Sequence, residues 1–339
     1  MSADRYAVSS RVRLARNLNY PFPDRLAQTG DIKTRKAICE QVREAFFSIS
    51  EEFSGQYDYI DMDTLPREKA LELTEWHLIS PAFAGGEVGR GLIVSKSRDL
   101  SIMINEEDHL RIQAFADGYR LEEAYEKAKQ IDRLLGARLA FAHSEKLGYL
   151  TACHTNLGTG MRASCMLHLP VITSTGALRD LIAEAGRLGV TMRGNFGEGS
   201  GSSAELYQLS NTFTLGVSET EILDRLKRIL DSVCAQEHKL AEGWYKADAL
   251  AIEDRIFRAE GTARYARSMS SKELEKLYSL MRLGAELGIN RYTLGRLDDL
   301  YRRLRPAVLA AIPEGRTPEG RDRLRADILR QSLEKEVIE

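Results

Sequence analysis

The sequence of 339 residues contains no run of about 18 consecutive apolar residues, the length that a membrane-spanning helix needs. Its first residues, Met1 to Tyr6, are polar and few, and they lack the apolar segment of a signal peptide. The sequence therefore predicts neither a membrane span nor secretion. We expect a cytoplasmic protein.

Cysteine is also scarce, with four residues in the whole chain. None of them forms a CxxC pair or stands at the spacing from histidine that zinc sites use. This pattern argues against a zinc site and against a disulfide framework, and no set of metal ligands is predicted within the chain. We expect reduced thiols at Cys39, Cys153, Cys165 and Cys234.

The chain has no excess of positive charge, because 48 Lys and Arg residues are set against 50 Asp and Glu residues, for a net charge of -2. This balance gives no overall electrostatic case for direct binding of nucleic acid. A P-loop is also missing. The glycine-rich run from Gly85 to Gly91 lacks the lysine of GxxxxGK[ST], and we interpret it as a hairpin turn. A polyphosphate ligand would have to be held by individually placed arginines.

What is present is an ordinary globular composition, with 43% hydrophobic and 29% charged residues and a length that suits two domains. Strand-like runs stop after Gly243, and the remaining sequence has helical periodicity. We therefore predict a first domain at residues 1–243 and a small all-helical domain at 244–339. The predicted helices of the second domain are 247–265, 271–287, 292–311 and 320–337.

Arginines recur beside predicted strand ends and glycine-rich loops. In the segment SSRVRLAR, Arg11 and Arg13 would point to the same side of an extended chain. They would form either a solvated strand edge or a phosphate site. In the segment from Leu147 to Pro170, Tyr149 and Leu150 suggest a buried strand, and a tight loop then precedes Arg162. Arg111 and Arg193 stand at similar positions.

Carboxylates occur close to these arginines. Glu106, Glu107 and Asp108 follow a predicted strand at Leu100 to Ile104, and three adjacent acids are unfavourable without cationic neighbours. The run RGNFGEGSGSS, which begins at Arg193, predicts a mobile loop with Glu198 as its one acid. His77, near a predicted helix end, could be an ordinary capping histidine or a flat ring for stacking on a nucleobase.

Taken together, these residues suit phosphoryl transfer from a nucleoside triphosphate. The guanidinium groups could carry the charge of the triphosphate with Mg²⁺, because this reaction depends mainly on alignment and on neutralising phosphate oxygens. Two separated acids, Glu107 and Glu198, could bracket a planar cationic acceptor such as a guanidinium. The five candidate arginines are Arg11, Arg13, Arg111, Arg162 and Arg193.

Four motifs in order resemble the phosphagen (guanidino) kinase family: SSRVRLAR, NEEDHLRI, LGYLTAC with TNLGTGMRAS, and RGNFGEGS. They extend over roughly residues 9–216. The resemblance implies an α+β fold in which an antiparallel sheet is flanked by helices, and the small all-helical domain would follow this catalytic domain. It also implies ATP as the phosphoryl donor, with Mg²⁺ held largely through phosphates and waters.

The same resemblance implies roles for single residues. The five arginines would bind the phosphates of ATP or ADP, and His77 would contact the adenine. Glu107 and Glu198 would grip the acceptor guanidinium, with the thiol of Cys153 beside it. The family usually has proline after this cysteine, whereas this chain has His154. An imidazolium could lower the pKa of the thiol, and loss of the proline could reshape the loop.

The last motif, Arg321-Asp322-Arg323-Leu324-Arg325-Ala326, resembles the RDxxRA phosphoarginine-receptor motif of the bacterial protein arginine kinases of the McsB type. That resemblance implies phosphoarginine binding by Arg321, Asp322, Arg325 and Ala326. It also implies a homodimer and ATP-dependent phosphorylation of exposed arginines in proteins, which marks them for the Clp unfoldase-protease. An activator protein is a further possible partner.

Two other functions stay open at this point. The chain could phosphorylate a free guanidino compound, although it has only eight residues before SSRVR, where creatine and arginine kinases have a helical domain of about a hundred residues. It could also be a phosphoarginine-binding protease adaptor without catalysis. The retained arginines and glutamates argue against the adaptor, because a binding module has no need of nucleotide clamps.

Overall fold

A computed structural model describes residues 3–194 and 203–334. Within these residues the chain forms an eight-stranded sheet with the order β2-β3-β4-β5-β1-β8-β10-β9, in which all neighbours are antiparallel, and a separate small pair, β6-β7. The strands are β1 (Ala7–Arg16), β2 (Tyr57–Asp61), β3 (Gly91–Ser95), β4 (Leu100–Ile104), β5 (Leu110–Asp117), β6 (His143–Ser144), β7 (Gly148–Tyr149), β8 (Met161–His168), β9 (Val190–Gly194) and β10 (Leu206–Asn211).

Helices cover the sheet and form the C-terminal part of the chain. In chain order they are α1 (Ala3–Tyr6), α2 (Pro23–Gln28), α3 (Ile32–Phe47), α4 (Glu51–Ser54), α5 (Arg67–Glu75), α6 (Pro81–Ala84), α7 (Leu121–Gly136), α8 (Pro170–Ser174), α9 (Leu178–Arg187), α10 (Glu219–Ala247), α11 (Ala249–Tyr265), α12 (Ser271–Leu287), α13 (Leu294–Arg303), α14 (Pro306–Ala310) and α15 (Pro318–Glu334). The predicted α+β class, an antiparallel sheet with helices followed by a helical region, is confirmed.

The core lies on one face of the central strands. Val12 and Leu14 of β1 are fully buried, and the register places Val12 beside Ala114 of β5 and Ala163 of β8. Helix α7 packs against β1 and β5, while α10 packs against β8 and β10. An antiparallel sheet can be apolar on one face and polar on the other, so burial of this face leaves the other face for polar side chains.

The end of β1 is fixed by a buried ion pair. The guanidinium of Arg16, which is fully buried, meets the carboxylate of Asp132 on α7 in a two-pronged contact, with Nε–Oδ1 at 2.7 Å and Nη2–Oδ2 at 3.0 Å. Nη1 donates to the backbone carbonyls of Ala15 and Thr159. The ring of Tyr149 covers the guanidinium, with the carbon Cζ 3.5 Å from the ring centre. This arrangement ties β1 to α7 and to the loop before β8.

The C-terminal helices share a core with the sheet. Val8 and Leu206, from β1 and β10, belong to the same cluster of buried side chains as residues of α11, α12, α13 and α15. Arg282 of α12 is fully buried, contacts Glu286 and Asp298, and donates to the carbonyl of Ala7 at the start of β1. The helical region is therefore packed directly on the strand that carries the first arginine motif.

The predicted domain division at residue 243 stays a prediction. Gly243 lies inside α10, which continues to Ala247. No helix among the described residues is long and apolar enough to cross a membrane.

Three local predictions are wrong. The segment Gly85 to Gly91 is not a hairpin turn, because Pro81–Ala84 forms a helix, capped by the hydroxyl of Ser80, and the glycines connect this helix to β3. The predicted helix at 292–311 is two helices, α13 and α14. Pro306 begins the second helix, since proline has no N–H to continue the first.

The third error concerns Tyr149 and Leu150, which were expected to form a buried strand. Only the two residues Gly148–Tyr149 pair, with β6, and both are half-buried. Tyr149 uses its apolar ring to cover Arg16 instead of entering the sheet. Arg162 follows the loop as predicted and is the second residue of β8.

We expect Asp132→Ala to lower the free energy of unfolding by about 3–5 kcal/mol, because it removes the two-pronged partner of the buried guanidinium of Arg16 and leaves that charge only a longer contact, of 3.9 Å, with Glu219. Glu40→Ala on α3 is the matched control. It removes the acid of an exposed pair with Arg43, with both side chains about half-exposed, and such pairs contribute about 0–1 kcal/mol. Urea denaturation measures both values. A loss below about 1 kcal/mol for Asp132→Ala would contradict the anchoring role of this pair.

Candidate active site

Four arginines of the central strands lie on the polar face of the sheet. Arg11 and Arg13 alternate with buried apolar residues along β1. Arg13 lies directly opposite Arg162 of β8, and Ala15, two residues further along β1, lies opposite Arg111 of β5. Paired residues of antiparallel strands point to the same face. The register therefore brings together four of the five arginines predicted to bind phosphate.

The fifth arginine lies on the same face at the edge of the sheet. Arg193 of β9 is opposite Gln208 of β10, and Gln208 is opposite Met166 of β8. Met166 alternates with Arg162 along the strand, so Arg193 shares the face of Arg162.

The pKa values show that these positive charges are close to one another. Burial lowers the pKa of Arg11 to about 10, with Arg162 and Arg111 adding repulsion. The pKa of Arg13 is also lowered by burial, and then by Arg11, Arg111 and Arg162. Burial, followed by Arg193 and Arg111, lowers the pKa of Arg162. The neighbouring positive charges make the charged form of each guanidinium less stable. A bound polyanion would relieve this repulsion.

Three of these guanidinium groups lack acidic partners. Among the described residues, Arg11, Arg13 and Arg162 form no ion pair with a carboxylate. Within residues 3–194 and 203–334, the side-chain hydrogen bonds of Arg162 go to the hydroxyl groups of Ser210, at 3.1 Å, and Thr191, at 3.4 Å. Nε of Arg13 is buried without a hydrogen-bond partner. Buried donors are nearly always paired in folded proteins, so these arginines are available to an anionic ligand.

Arg111 joins the basic face to a pair of carboxylates. Its Nη1 lies 2.7 Å from Oε2 of Glu106, and its Nη2 lies 2.8 Å from Oε2 of Glu107. Glu106 is 8% exposed and accepts a hydrogen bond of 2.5 Å from the hydroxyl of Ser80, whereas Glu107 is 38% exposed. Glu106 is thus held internally, and Glu107 is the acid that an incoming molecule can reach.

The thiol of Cys153 is placed by a buried aspartate that sequence reasoning did not single out. Asp108 is fully buried, and its Oδ1 accepts from Nδ2 of Asn17 at 2.6 Å and from the backbone N–H of Ala152 at 2.8 Å. The bond to Ala152 holds the cysteine loop against the segment that carries Glu107. The three adjacent acids are visible in the sequence. The third of them, Asp108, holds the backbone N–H of Ala152 instead of a ligand.

The cysteine itself is half-buried, with Sγ 3.0 Å from Oγ1 of Thr155. Cys153 and Glu107 both act on the pKa of Arg162 in the raising direction, so the thiol and the carboxylate both lie near that guanidinium. The neighbouring His154 is exposed in a short 3-10 turn. The structure therefore brings Cys153 and Glu107 towards Arg162, with His154 on the outer side of the loop.

Two glycines allow this loop to approach the sheet. Gly158 and Gly160 have φ angles of +106° and +64°. A Cβ at Gly158 would lie 2.3 Å from the carbonyl oxygen of Thr214, and one at Gly160 would lie 2.6 Å from that of Ala15. No side chain fits at these distances, which explains the glycines of TNLGTG.

His77 is the residue for which the sequence left two interpretations open, a helix-end histidine or a nucleobase contact, and both stay predictions. It follows the end of α5 with a φ of +59°, and its carbonyl oxygen accepts from Nε2 of Gln113 at 3.1 Å. It also lines a cavity of about 370 Å³ together with Arg11. The other side chains that define this cavity include Ser9, Trp76, Arg98, Asp299 and Arg302.

A second cavity, of about 620 Å³, borders the carboxylates. It is lined by Glu106, Glu107 and Arg111 and by residues of α2, α3 and the α6-β3 connection. The two cavities lie on either side of the arginine face, one beside His77 and one beside Glu107. The other predicted acid, Glu198, lies outside the described residues.

The RDxxRA motif lies apart from the arginine face, on α15. Arg325 is 1% exposed, and its guanidinium donates to the carbonyls of Leu304 and Met269 and to Asp322. Ala326 is fully buried in the helical core. Arg321 is half-buried and donates to two carbonyls of the preceding turn. Phosphoarginine binding by these residues stays a prediction, and Nε and Nη1 of Arg325 already donate to three internal partners.

Comparisons with known families match nearly the whole chain. Residues 37–240 match the ATP:guanido phosphotransferase C-terminal catalytic domain, and residues 249–338 match the protein-arginine kinase McsB C-terminal domain. The protein-arginine kinase of Halothermothrix orenii is 39% identical over 330 residues, which cover 96% of this chain and 92% of that protein. The protein-arginine kinase of Caldanaerobacter subterraneus is 38% identical, with 97% of each chain covered.

Solved structures show the same fold at lower identity. Lombricine kinase is 22% identical with a TM-score of 0.62, and the match covers 71% of this chain and 68% of that chain. The duplicated taurocyamine kinase from Schistosoma mansoni, with bound components of a transition-state analogue, is 22% identical with a TM-score of 0.62. That match covers 80% of this chain and 39% of the other.

We expect the pH dependence of stability to report on His77. Burial lowers its pKa to about 3, with Arg305, Arg11 and Arg302 adding repulsion. The unfolded chain binds a proton at this histidine below about pH 6.5, and the folded chain does not. The free energy of unfolding should therefore fall by about 1.4 kcal/mol for each pH unit as the pH decreases from about 6 towards 3.

Urea denaturation between pH 7 and pH 4.5 measures this effect in the wild type and in His77→Gln. The other buried histidines, His109 and His168, also have lowered pKa values, and they contribute equally to both proteins. The difference between the two slopes isolates His77. Equal slopes would contradict its burial in the neutral form.

Proposed function

This chain belongs to the ATP:guanido phosphotransferase family and carries the C-terminal domain of the protein-arginine kinase McsB, and from that premise we propose that it transfers the terminal phosphoryl group of ATP to arginine side chains in proteins. The observation that carries the proposal is the convergence on one face of the sheet of Arg11, Arg13 and Arg162, which form no ion pair with a carboxylate among the described residues, with Arg111 connecting that face to Glu107.

The arginines would bind the phosphates. Arg11, Arg13 and Arg162 lack carboxylate partners among the described residues, and the guanidinium fork matches phosphate oxygens in a two-pronged contact. Arg193 would close the same site from the edge strand. Since phosphoryl transfer builds charge on the phosphate oxygens, donors fixed in place before the reaction stabilise the transition state without reorganisation.

Magnesium would enter with the nucleotide. Among the described residues there is no group of three or more His, Cys, Asp or Glu side chains that could hold a metal ion. Mg²⁺ commonly keeps several waters and binds through substrate phosphates. Bound in this way, it would neutralise part of the phosphate charge, and the arginines would supply the rest.

Glu107 would hold and activate the acceptor. Its carboxylate is exposed enough to accept two N–H groups of an incoming guanidinium, while Arg111 keeps it beside the phosphate site. A guanidinium nitrogen forms the new N–P bond as the P–O bond to ADP breaks, and the nitrogen loses one proton to the carboxylate. This loss is needed because a guanidinium, with a pKa above about 12, is a poor nucleophile.

The remaining roles come from the family resemblance. Glu198 would be the second acid on the acceptor, and Cys153 would lie beside the guanidinium as a positioning group. Proteins with exposed arginines would be the substrates, in the cytoplasm, and phosphorylation would direct them to the Clp unfoldase-protease. The names of the protein-arginine kinase relatives and the match to the McsB C-terminal domain support protein arginine as the acceptor. A homodimer, an activator protein and phosphoarginine binding at α15 belong to the same proposal.

We expect Glu107→Gln to reduce formation of acid-labile phosphoarginine by a factor of about 10³ or more, because the acceptor loses both its charge partner and its base. Binding of ATP should change by less than about threefold, since Arg11, Arg13 and Arg162 remain. Mass spectrometry of a protein substrate after incubation with Mg-ATP gives the first value, and calorimetry gives the second.

Glu145→Gln, which neutralises an exposed acid in the loop before β7, is the control and should keep full activity. A Glu107→Gln enzyme as active as this control would overturn the acceptor assignment. Glu198→Gln, tested in the same way, examines the second acid.

We further expect an unfolded protein substrate to be phosphorylated at least about tenfold faster than free arginine at equal arginine concentration, because contacts outside the guanidinium contribute to transition-state binding. Steady-state ratios of kcat/KM measure this preference. Faster turnover of free arginine would favour a kinase for a free guanidino compound. Absence of ATP binding would favour a phosphoarginine-binding adaptor.

A further inference from the structure

The helical region reaches the cavity beside His77. Asp299 and Arg302, both on α13, line the same cavity as Arg11 and His77. Two walls of this cavity come from the sheet and from the end of α5, and α13 adds a third. A guanidinium and a carboxylate of the C-terminal region thus face the space next to the arginines that we assign to phosphate.

An ion pair attaches α13 to the sheet at this point. Nη1 of Arg302 lies 2.9 Å from Oδ1 of Asp117, at the end of β5. Asp117 is opposite Ser9 in the register of β5 and β1, and Ser9 also lines the cavity. The side chain of Arg302 is 31% exposed. Its guanidinium therefore lies at the mouth of the cavity.

A second arginine of the helical region holds His77 itself. Arg305 is buried, and its Nη1 lies 3.4 Å from Nε2 of His77 and 3.5 Å from the carbonyl oxygen of Glu75. An arginine has donors only, so Nε2 of the histidine must accept, and the ring proton is then on Nδ1. Arg305 therefore sets both the orientation and the tautomer of the ring.

In the same region, a helix cap connects α5 to α14. Oε2 of Glu75, at the end of α5, accepts from the backbone N–H groups of Ala307 and Val308 at 2.5 Å and 3.0 Å. These are free N–H groups of the first turn of α14, and a carboxylate stabilises them through both hydrogen bonds and the helix dipole. This cap joins the end of α5, which His77 follows, to the start of α14, which Arg305 precedes.

We propose that the helical region supplies one wall of the nucleotide pocket, with Arg302 and Asp299 contacting the nucleoside part of a purine nucleoside triphosphate and Arg305 acting as the positioning residue for His77. The inference rests on the proposed function, because the arginines beside this cavity are those assigned to the phosphates. It makes nucleotide affinity depend on where α13 and α14 lie against the sheet.

Binding of ATP and of inorganic tripolyphosphate to the full-length chain tests the proposal. Both ligands carry the phosphates, but only ATP enters the cavity beside His77. We expect Arg302→Ala to raise the Kd for ATP about tenfold and to leave the Kd for tripolyphosphate within about twofold. Arg302→Gln, which keeps the length of the side chain, should give the same pattern. Arg291→Ala, an exposed arginine of the α12-α13 connection, is the control and should change neither value.

Arg305 needs a readout that a merely structural role would not move. Arg11 of β1, Arg302 of α13 and Arg305 before α14 are the charged groups that act on His77. Removal of Arg305 takes away one positive neighbour, so the pH below which ATP binding is lost should move upwards in Arg305→Ala. Arg305→Lys, which keeps the charge, should restore the wild-type profile. An unchanged profile in Arg305→Ala would overturn the positioning role.

The outcomes separate this inference from the proposed function. If Arg302→Ala and Arg302→Gln bind ATP as tightly as the wild type, α13 does not form a wall of the nucleotide pocket, and the proposed phosphate site is unaffected. If these variants weaken ATP and tripolyphosphate equally, the helical region does not act on the nucleoside, and the inference is also wrong. If the wild type binds neither ligand, both proposals fall.

Discussion

Repulsion among guanidinium groups is the constraint on which the site depends. The register places Arg13 opposite Arg162, with Arg11 and Arg111 on the same face. Two unit charges about 5 Å apart repel by about 3 kcal/mol at an effective dielectric constant of about 20, and a folded domain is stable by only about 5–15 kcal/mol. The chain can carry this cluster because the strands are fixed from the opposite face by a buried apolar core. The unfavourable charge is thereby stored where a triphosphate would relieve it.

The three adjacent acids of the site do not neutralise the positive charge of the arginine face. Glu106 is buried against Ser80 and Arg111, and Asp108 is used to hold the backbone of Ala152. Of the three adjacent acids, only Glu107 keeps an exposed carboxylate beside the arginine face. If all three had paired with arginines, the face would have lost the positive charge that we propose binds phosphate. Because the three acids have different partners, the cleft keeps both a positive face, formed by the arginines, and one accessible carboxylate, that of Glu107.

The sequence predicted the elements of the fold more reliably than their connections. Alternation along SSRVRLAR predicted a strand with Arg11 and Arg13 on one side, and most helices and strands followed from their periodicity. The errors at Gly85 to Gly91 and at Tyr149 arose because the same local pattern is compatible with different tertiary partners. The contact of Tyr149 with Arg16 and the contact of Arg305 with His77 join residues far apart in the chain, and no local pattern specifies them. The predicted roles of single site residues rest on family resemblance, and the geometry brings their described members together without testing those roles.

The internal contacts of Arg325 give the RDxxRA segment a physical connection to the residues beside the cavity of His77. Its guanidinium holds the carbonyl of Leu304, and the next residue, Arg305, holds the ring of His77. This carbonyl belongs to the turn between α13 and α14, which carries Arg305 and follows the cavity-lining residues of α13. A link of this kind becomes allosteric only if a ligand binds the two positions of α15 with different affinities. A ligand that recruits the guanidinium of Arg325 would compete with its contacts to Leu304, Met269 and Asp322, so the affinity of such a ligand would differ between the two positions.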